Sequence, residues 1–159
     1  MQGYGNPGDE GYFVSYTAYY LEAALVNISG TRQWANRTGD LIPNLSQSSS
    51  DQTDWGIGRG KINTAIIIAH GFANGYTTLA ARACSNLTTG GKTDWFLPSR
   101  DELNLLYIER GKFGNFGIDY YWSSSQAGSS LAWVHGFFIG DQGNTFKDIS
   151  YSVRAIRAF

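Results

Sequence analysis

The C-terminal part of the chain alternates between apolar and polar positions, which is the periodicity of half-buried β-strands. Residues 120–159 form short aromatic and β-branched runs separated by polar turns, and they end in the alternating segment VRAIRAF. Near the N-terminus, GYFVSYTAYYLEAAL (residues 11–25) predicts two short strands joined by a turn at Thr17–Ala18. RQWAN (residues 32–36) predicts another short strand.

The middle of the chain has helical periodicity instead. Residues 60–72 predict a helix with Ile62, Ala65, Ile66 and Ala69 on one face, and residues 76–87 predict a second helix. A third helix begins after Ser99, because Ser99 and Glu102 have the spacing of a capping box and Asp101 adds negative charge to the first turn. Its predicted apolar face carries Leu103, Leu106 and Tyr107.

These elements predict one α+β domain over residues 11–159, in which strands from the two ends of the chain share a sheet. Residues 39–60 are rich in Ser, Asp, Asn and Gly, and they predict a long irregular excursion on the surface. Residues 1–10 predict a leader or linker, in which glycines at positions 5, 8 and 11 mark two Gly-x-y triplets. Two triplets cannot form a collagen helix alone, but they hint at a homotrimeric parent protein.

Composition narrows the class of function. The chain has 159 residues, of which 16% are charged and 15% are aromatic, and a formal net charge of -1. That charge, without any Lys/Arg-rich run, argues against a nucleic-acid partner. No long apolar stretch predicts a membrane span, and no signal segment is recognisable at the N-terminus.

The sequence offers no convincing catalytic or metal-binding motif. GIGRGKIN resembles a phosphate-binding loop, but its glycine spacing is one residue short and Ile62 replaces the required Ser or Thr. His70 and His135 lack partners at ligand spacing, so we expect no metal and no cofactor; His70 is predicted to be structural and His135 to be exposed. Cys84 is predicted to be a small buried residue, and the carboxylates at the start of the third helix to be structural.

Residues 121–140 (YWSSSQAGSSLAWVHGFFIG) combine large aromatic residues with a run of small ones. Trp122, Trp133 and Phe137 are separated by the chemically undemanding positions 127–131. Aromatic residues that fix the backbone leave the small residues between them free to vary. The segment is therefore typical of a rigid frame that carries replaceable side chains.

Several motifs in a fixed order resemble one bacterial family. They are GYFVSY, YLEAA, QWAN, IGRGKINTAIIIA, DWFLPSRDELNLLY, YYWSSS, AW and VRAIRAF. In this combination the chain is similar to the C-terminal domain of collagen-like surface adhesins, a relative of the variable proteins of diversity-generating retroelements. The resemblance implies a C-type-lectin-like fold related to that of formylglycine-generating enzymes, with small antiparallel sheets, two or three helices and long loops.

The resemblance also implies a division of the region 121–159 into fixed and variable positions. The scaffold residues would be Trp95, Trp122, Trp133, Phe137, Arg154 and Arg157. The candidate variable, ligand-binding positions all hold residue types reachable by mutation of template adenines in asparagine codons. They are Ala127, Gly128, Ser129, Ser130, Leu131, Val134, His135, Gly136, Phe138, Ile139, Asp141, Gly143, Asn144, Thr145, Phe146, Ile149, Ser150 and Ser152.

The sequence thus favours a non-enzymatic domain at the cell or phage surface that binds an unknown protein or glycan. One hypothesis is a diversified receptor-binding protein. The alternative is a fixed adhesin domain for sulfated polysaccharide, although the proposed face offers little basic charge besides Lys147, Arg154 and Arg157. An enzyme of the formylglycine-generating type is disfavoured, because that chemistry needs cysteines and this chain has one. The sequence also lacks the disulfides and sugar motifs of calcium lectins, so the fold by itself implies neither calcium nor sugar.

Overall fold

The computed structural model describes residues 1–159 as an α+β domain with four helices and three small antiparallel sheets. The helices are α1 (Gly60–Ala73), α2 (Leu79–Ser85), α3 (Arg100–Ile108) and α4 (Arg110–Phe113). The strands are β1 (Leu21–Ala23), β2 (Arg32–Gln33), β3 (Tyr120–Gln126), β4 (Leu131–Gly136), β5 (Gln142–Phe146), β6 (Ser150–Tyr151) and β7 (Ile156–Ala158). None of the helices has the length and apolar composition needed to cross a bilayer.

The two ends of the chain meet in one sheet, as the sequence predicts. Strand β1 pairs antiparallel with β7, and β2 pairs with β6. The prediction of two N-terminal strands around Thr17–Ala18 is wrong, because only Leu21–Ala23 finds a partner strand and Phe13 forms just an isolated bridge with Tyr4. The backbone N–H and C=O groups of a strand need hydrogen-bond partners on a neighbouring strand. Strand β7 offers such partners over three residues only, so β1 is equally short.

Helix α1 lies in the centre of the domain, so it is buried on more sides than its apolar periodicity predicts. Ile62, Ile66, Ile67 and Ile68 all belong to the larger core cluster, which also contains Trp34 and Trp122. The predicted face residue Ala69 is only half-buried. The third predicted helix begins as expected, because Ser99 and Glu102 form the capping box. The short helix α4 has no counterpart among the predicted elements.

The irregular segment 39–60 is confirmed as irregular, but part of it enters the interior. Ile42 and Leu45 belong to the core, and the carboxylate of Asp54 is fully buried. That carboxylate accepts hydrogen bonds from Ser46 and from the backbone N–H of Gln126. The Gln126 side chain in turn bonds both N–H and C=O of Ile42. Because these contacts join distant parts of the chain, local sequence patterns do not reveal them.

The single cysteine and the two histidines are all at least half-buried. Cys84 is buried as predicted, and burial raises the pKa of its thiol. His70 is half-buried on α1, where its Nε2 lies 3.1 Å from Asp40 Oδ2. The expectation that His135 is exposed is wrong, because it lies within β4 and only 1% of its surface is accessible. Burial lowers the pKa of its imidazole.

Candidate ligand-contact face

The β4–β5 hairpin carries most of the candidate positions and has two different sides. Opposite residues in the ladder share a side, so Leu131, Trp133 and His135 lie with Phe146, Asn144 and Gln142 respectively. We call this side the hairpin face. The other side carries Ala132 and Val134 into the main core. The alternation therefore directs Ala132 and Val134 into the core, while Trp133 and His135 on the hairpin face are covered by side chains of other elements.

A stack of aromatic and cationic side chains covers the middle of the hairpin face. The Arg100 guanidinium lies 3.9 Å from the ring centroid of Trp55 and 4.5 Å from that of Trp133. The two indoles meet edge to face with centroids 5.1 Å apart. Such cation–π contacts hold a guanidinium while leaving its N–H groups free.

Hydrogen bonds of backbone groups, two of them with serine hydroxyls, place Trp55 and Arg100 beside the hairpin. The Trp55 carbonyl accepts from the N–H of Asp101, and the Gly56 carbonyl accepts from Ser99 Oγ. The N–H of Arg100 donates to Ser125 Oγ on β3. The loop before α1, the start of α3 and the edge of β3 are thereby locked together. The position of the stack is thus set by bonds from backbone groups to other backbone groups and to two short serine side chains, which are more rigid than long flexible ones.

The stack contains hydrogen-bond donors that have no acceptor. Arg100 Nε and the indole Nε1 atoms of Trp55 and Trp133 are buried without a partner. The nearest carboxylate oxygen, Asp101 Oδ1, is 3.8 Å from Arg100 Nη1, and the Arg100 side chain remains 20% exposed. An arginine that makes no side-chain hydrogen bond is uncommon, because guanidinium carries five donors. The outer edge of Arg100 can therefore bind an acceptor group from a ligand.

The two ends of the hairpin carry exposed apolar side chains. At the turn between β4 and β5, Phe138 and Ile139 are 72% and 66% exposed. At the other end, Phe146 and Ile149 are also largely exposed. Below the turn, Tyr107 of α3 stacks on His135 with a centroid separation of 4.6 Å and supports Phe137 from the side. The apolar ends and the central Arg100 stack form one strip along the hairpin.

The candidate variable positions differ in exposure. Seven are exposed: Ser129, Phe138, Ile139, Asn144, Phe146, Ile149 and Ser150. Six are half-buried: Gly128, Ser130, Leu131, Asp141, Gly143 and Thr145. Five are buried: Ala127, Val134, His135, Gly136 and Ser152. A buried side chain cannot contact a ligand unless the surrounding core opens, so these five do not form part of the surface.

The candidate scaffold residues lie in the interior or in ion pairs. Trp95, Trp122, Trp133 and Phe137 are buried, and Trp122 donates its indole N–H to the Arg32 carbonyl. Arg154 is buried and bonds Asn27, Ala24 and Asn115. Arg157 forms ion pairs with Asp94 and Glu22.

Sequence reasoning missed Trp55 and Arg100 as members of this face. Trp55 lies in the irregular segment, and Arg100 lies in a helix whose notable feature was its cap. They meet Trp133 only because three segments distant in sequence pack together. The one usable signal was a tryptophan in an otherwise polar loop, which is unusual because large aromatics are generally placed where they gain contacts.

Comparisons with known proteins define the family. Residues 27–157 match the family described as the Lcl C-terminal domain, so the chain belongs to that family. The structure is similar to the crystal structure of a fimbrial protein from Bacteroides ovatus ATCC 8483, with a TM-score of 0.53 and 17% sequence identity. The alignment covers 87% of this chain and 35% of the fimbrial protein, so the chain corresponds to about a third of that molecule. A comparison with curated proteins gives no match.

Proposed function

We propose that this chain is a non-enzymatic, adhesin-type domain displayed outside the cell, which binds a protein or glycan through the hairpin face. Membership of the Lcl C-terminal domain family and the similarity to part of a fimbrial protein support this class of function. The overall architecture is compatible with a C-type-lectin-like fold, in which loops and a short sheet present the contact residues above packed helices.

One observation carries the proposal. The Arg100 guanidinium packs against two indoles and makes no hydrogen bond, in the middle of a strip with exposed apolar ends. Aromatic and arginine side chains dominate the energy of many protein interfaces, particularly where they are preorganised. Here the exposed edge of Arg100 would donate to the ligand, and Phe138, Ile139 and Phe146 would bury apolar surface against it.

We further propose that sequence diversity at this face, if a retroelement generates it, is confined to the exposed and half-buried candidate positions. Substitution at a buried site such as Val134 would disturb a close-packed core, whereas substitution at Asn144 or Phe138 would not. The backbone of the hairpin is held by the Trp133 and Trp122 packing, which tolerates exchange of the outward side chains.

A fixed domain for sulfated polysaccharide is the second candidate, and the observation that favours it is the Arg100 guanidinium, which makes no hydrogen bond and only a long contact with Asp101. The other three basic residues near this region offer no free charge to a sulfate group. Lys147 is buried and donates to Gln126, Asp40 and Ser129, and the charges of Arg154 and Arg157 are used internally. A polysulfated chain usually needs several free cations, and the centre of the hairpin face has one.

Deep sequencing of the 3′ end of the gene in a growing population tests the diversified version. We expect substitutions at exposed and half-buried positions between 127 and 152, with codons of the NNY type, and none at Val134, His135 or Gly136. A uniform sequence would contradict the diversified version and favour a binding domain of fixed sequence. Substitutions spread equally over buried and exposed positions would contradict the proposed division of the hairpin.

Binding of the purified chain to glycan and protein arrays tests the site itself. Arg100→Met keeps an apolar side chain against the indoles but removes the donors, so we expect loss of the signals that the wild type gives. Lys112→Met is the control, because Lys112 lies exposed on α4 outside the face. Equal signals from the wild type and both variants would place binding elsewhere. Signals restricted to sulfated glycans would select the second candidate.

A further inference from the structure

A cleft of about 250 Å³ lies away from the hairpin face, between α1 and two extended segments. Residues 11–13 form one wall and residues 93–96 form another, while Lys61, Thr64, Ala65 and Ile68 of α1 line the side between them. The N-terminal wall lies very close to the helix, since a Cβ added to Gly11 would be 2.8 Å from Ala65 Cα. No residue of the cleft belongs to the hairpin face.

The ammonium group of Lys61 has an unusual environment in this cleft. Its Nζ lies 5.0 Å from the ring centroid of Phe13 and 4.5 Å from that of Tyr16, and it donates one hydrogen bond to Tyr16 Oη. Tyr16 Oη itself donates to the Ala158 carbonyl. No carboxylate oxygen forms an ion pair with Lys61. Two of the three donors of this ammonium therefore remain free.

The nearby Asp94 carboxylate attracts Lys61 electrostatically, but its hydrogen-bonded ion pair is with Arg157. Asp94 accepts from Arg157 Nε at 2.8 Å and from Arg157 Nη2 at 3.1 Å, which is a bidentate pair. Desolvation by partial burial is the largest influence on the pKa of Lys61, and it lowers that pKa. A half-buried cation without an ion-pair partner is costly, and an anionic ligand would reduce that cost.

A second unpaired donor belongs to a residue that lines the cleft. Trp95 is a lining residue, and its indole Nε1 is buried without an acceptor. By contrast, the hydroxyl of Thr64 is used, since it donates to the Gly60 carbonyl and accepts from the N–H of Leu97. Tyr12, Phe13 and Phe96 supply aromatic surface around these donors. The cleft thus combines the Lys61 ammonium with apolar walls, and its one lining carboxylate, Asp94, is paired with Arg157.

We propose that this cleft binds a small carboxylate attached to an apolar or aromatic group. The carboxylate would accept from Lys61, and the apolar part would lie against the aromatic walls. The volume suits a ligand smaller than a typical drug molecule. The same chemistry occurs in a free aromatic acid and in the C-terminal residue of a peptide chain, so both sources need separate probes.

Titration of the full ¹⁵N-labelled chain with phenylacetate, followed by ¹H–¹⁵N NMR, tests the proposal. We expect saturable shifts of the Trp95 indole N–H, and no such shifts with 2-phenylethanol, which has the ring but no charge. Lys61→Met should weaken phenylacetate binding by about tenfold or more, the usual scale for a charge-assisted hydrogen bond. Lys112→Met should bind like the wild type.

Different results of this titration overturn the proposal or identify the source of the carboxylate. No saturable binding of phenylacetate to the wild type, or equal binding to Lys61→Met, would overturn the proposal. Should Lys61→Met fail to fold, the contrast between phenylacetate and 2-phenylethanol on the wild type remains decisive. N-acetylphenylalanine, which imitates the C-terminal residue of a peptide, is the second probe. If it binds more strongly than phenylacetate, and N-acetylphenylalanine amide does not bind, the carboxylate comes from a chain terminus. The reverse order would identify a free acid.

Discussion

Trp133 illustrates how one residue serves both the fold and the proposed site. It is 9% exposed, it packs edge to face on Trp55, and it carries the Arg100 guanidinium. We expect Trp133→Ala to lower the free energy of unfolding by about 3–5 kcal/mol, the range for removal of a buried aromatic side chain. Urea denaturation measures this directly, and a midpoint close to that of the wild type would contradict it.

Phe138 is the matched case at the surface. It is 72% exposed at the turn of the hairpin, so Phe138→Ala should change the free energy of unfolding by about 0.5 kcal/mol or less. The same variant should reduce the array signals of the wild type, because the exposed ring would be buried only against a ligand. A large loss of stability would instead show that Phe138 packs into the fold.

Glu102 makes the stability depend on pH. It is buried and accepts from the N–H groups of Ser99 and Gly58, and desolvation raises its pKa from 4.5 to about 7. The folded chain therefore binds this proton more tightly than the unfolded chain does. Its contribution to stability is fully present below about pH 4.5 and is lost as the pH rises towards about 7.

Urea denaturation between those two pH values measures the effect. Glu102→Gln cannot titrate, so the decline of the unfolding free energy with rising pH should be smaller in this variant than in the wild type. Glu109→Gln is the control, because Glu109 lies at the helix end and its ion pair with Lys112 is exposed. If Glu109→Gln and Glu102→Gln have the same pH dependence, burial of Glu102 is not the cause.

At the scale of elements, local signals were predicted well and non-local contacts were not. The start of α3 followed from Ser99 and Glu102, because a capping box is formed by neighbours in sequence. The N-terminal strands were misplaced, because strand formation there depends on β7 at the opposite end of the chain. The exposure of His135 was misjudged for the same reason, since Tyr107 of α3 covers it.

The ordered course of segment 40–54 also depends on a distant element. Gln126 on β3 accepts from Lys147 Nζ at 2.8 Å and donates to the Ser46 carbonyl at 2.8 Å. We expect Gln126→Leu to leave these buried groups without partners and to release the segment, so that proteases cleave it faster than in the wild type. Gln142→Leu, on the edge strand β5, should leave the cleavage rate unchanged. Equal cleavage of wild type and Gln126→Leu would show that the segment is held by other contacts.

At the scale of the whole molecule, the hairpin face is assembled from a loop, a helix start and a C-terminal hairpin. The sequence predicted short strands in the C-terminal region, but it could not indicate that Trp55 and Arg100 pack against them. The motifs that carry the resemblance are mostly buried, as Trp95 and Trp122 are, so they report the fold more directly than the ligand. Binding specificity lies in side chains that the fold does not constrain.

The closure of the chain at its two ends gives a last prediction. Strand β7 pairs with β1 from Leu21↔Ala158 to Ala23↔Ile156, and Ile156 also bridges Phe96. Residues 1–10 are attached by the Tyr4–Phe13 bridge, by hydrogen bonds between Met1 and Tyr16 and by the Glu10–Arg82 ion pair, and only Met1 and Tyr4 of this segment pack against the cores. Removal of residues 156–159 should therefore abolish cooperative thermal unfolding, whereas removal of residues 1–10 should lower the Tm and leave the transition cooperative. Calorimetry of both truncated chains decides this, and an equal loss of cooperativity would place residues 1–10 inside the folding unit.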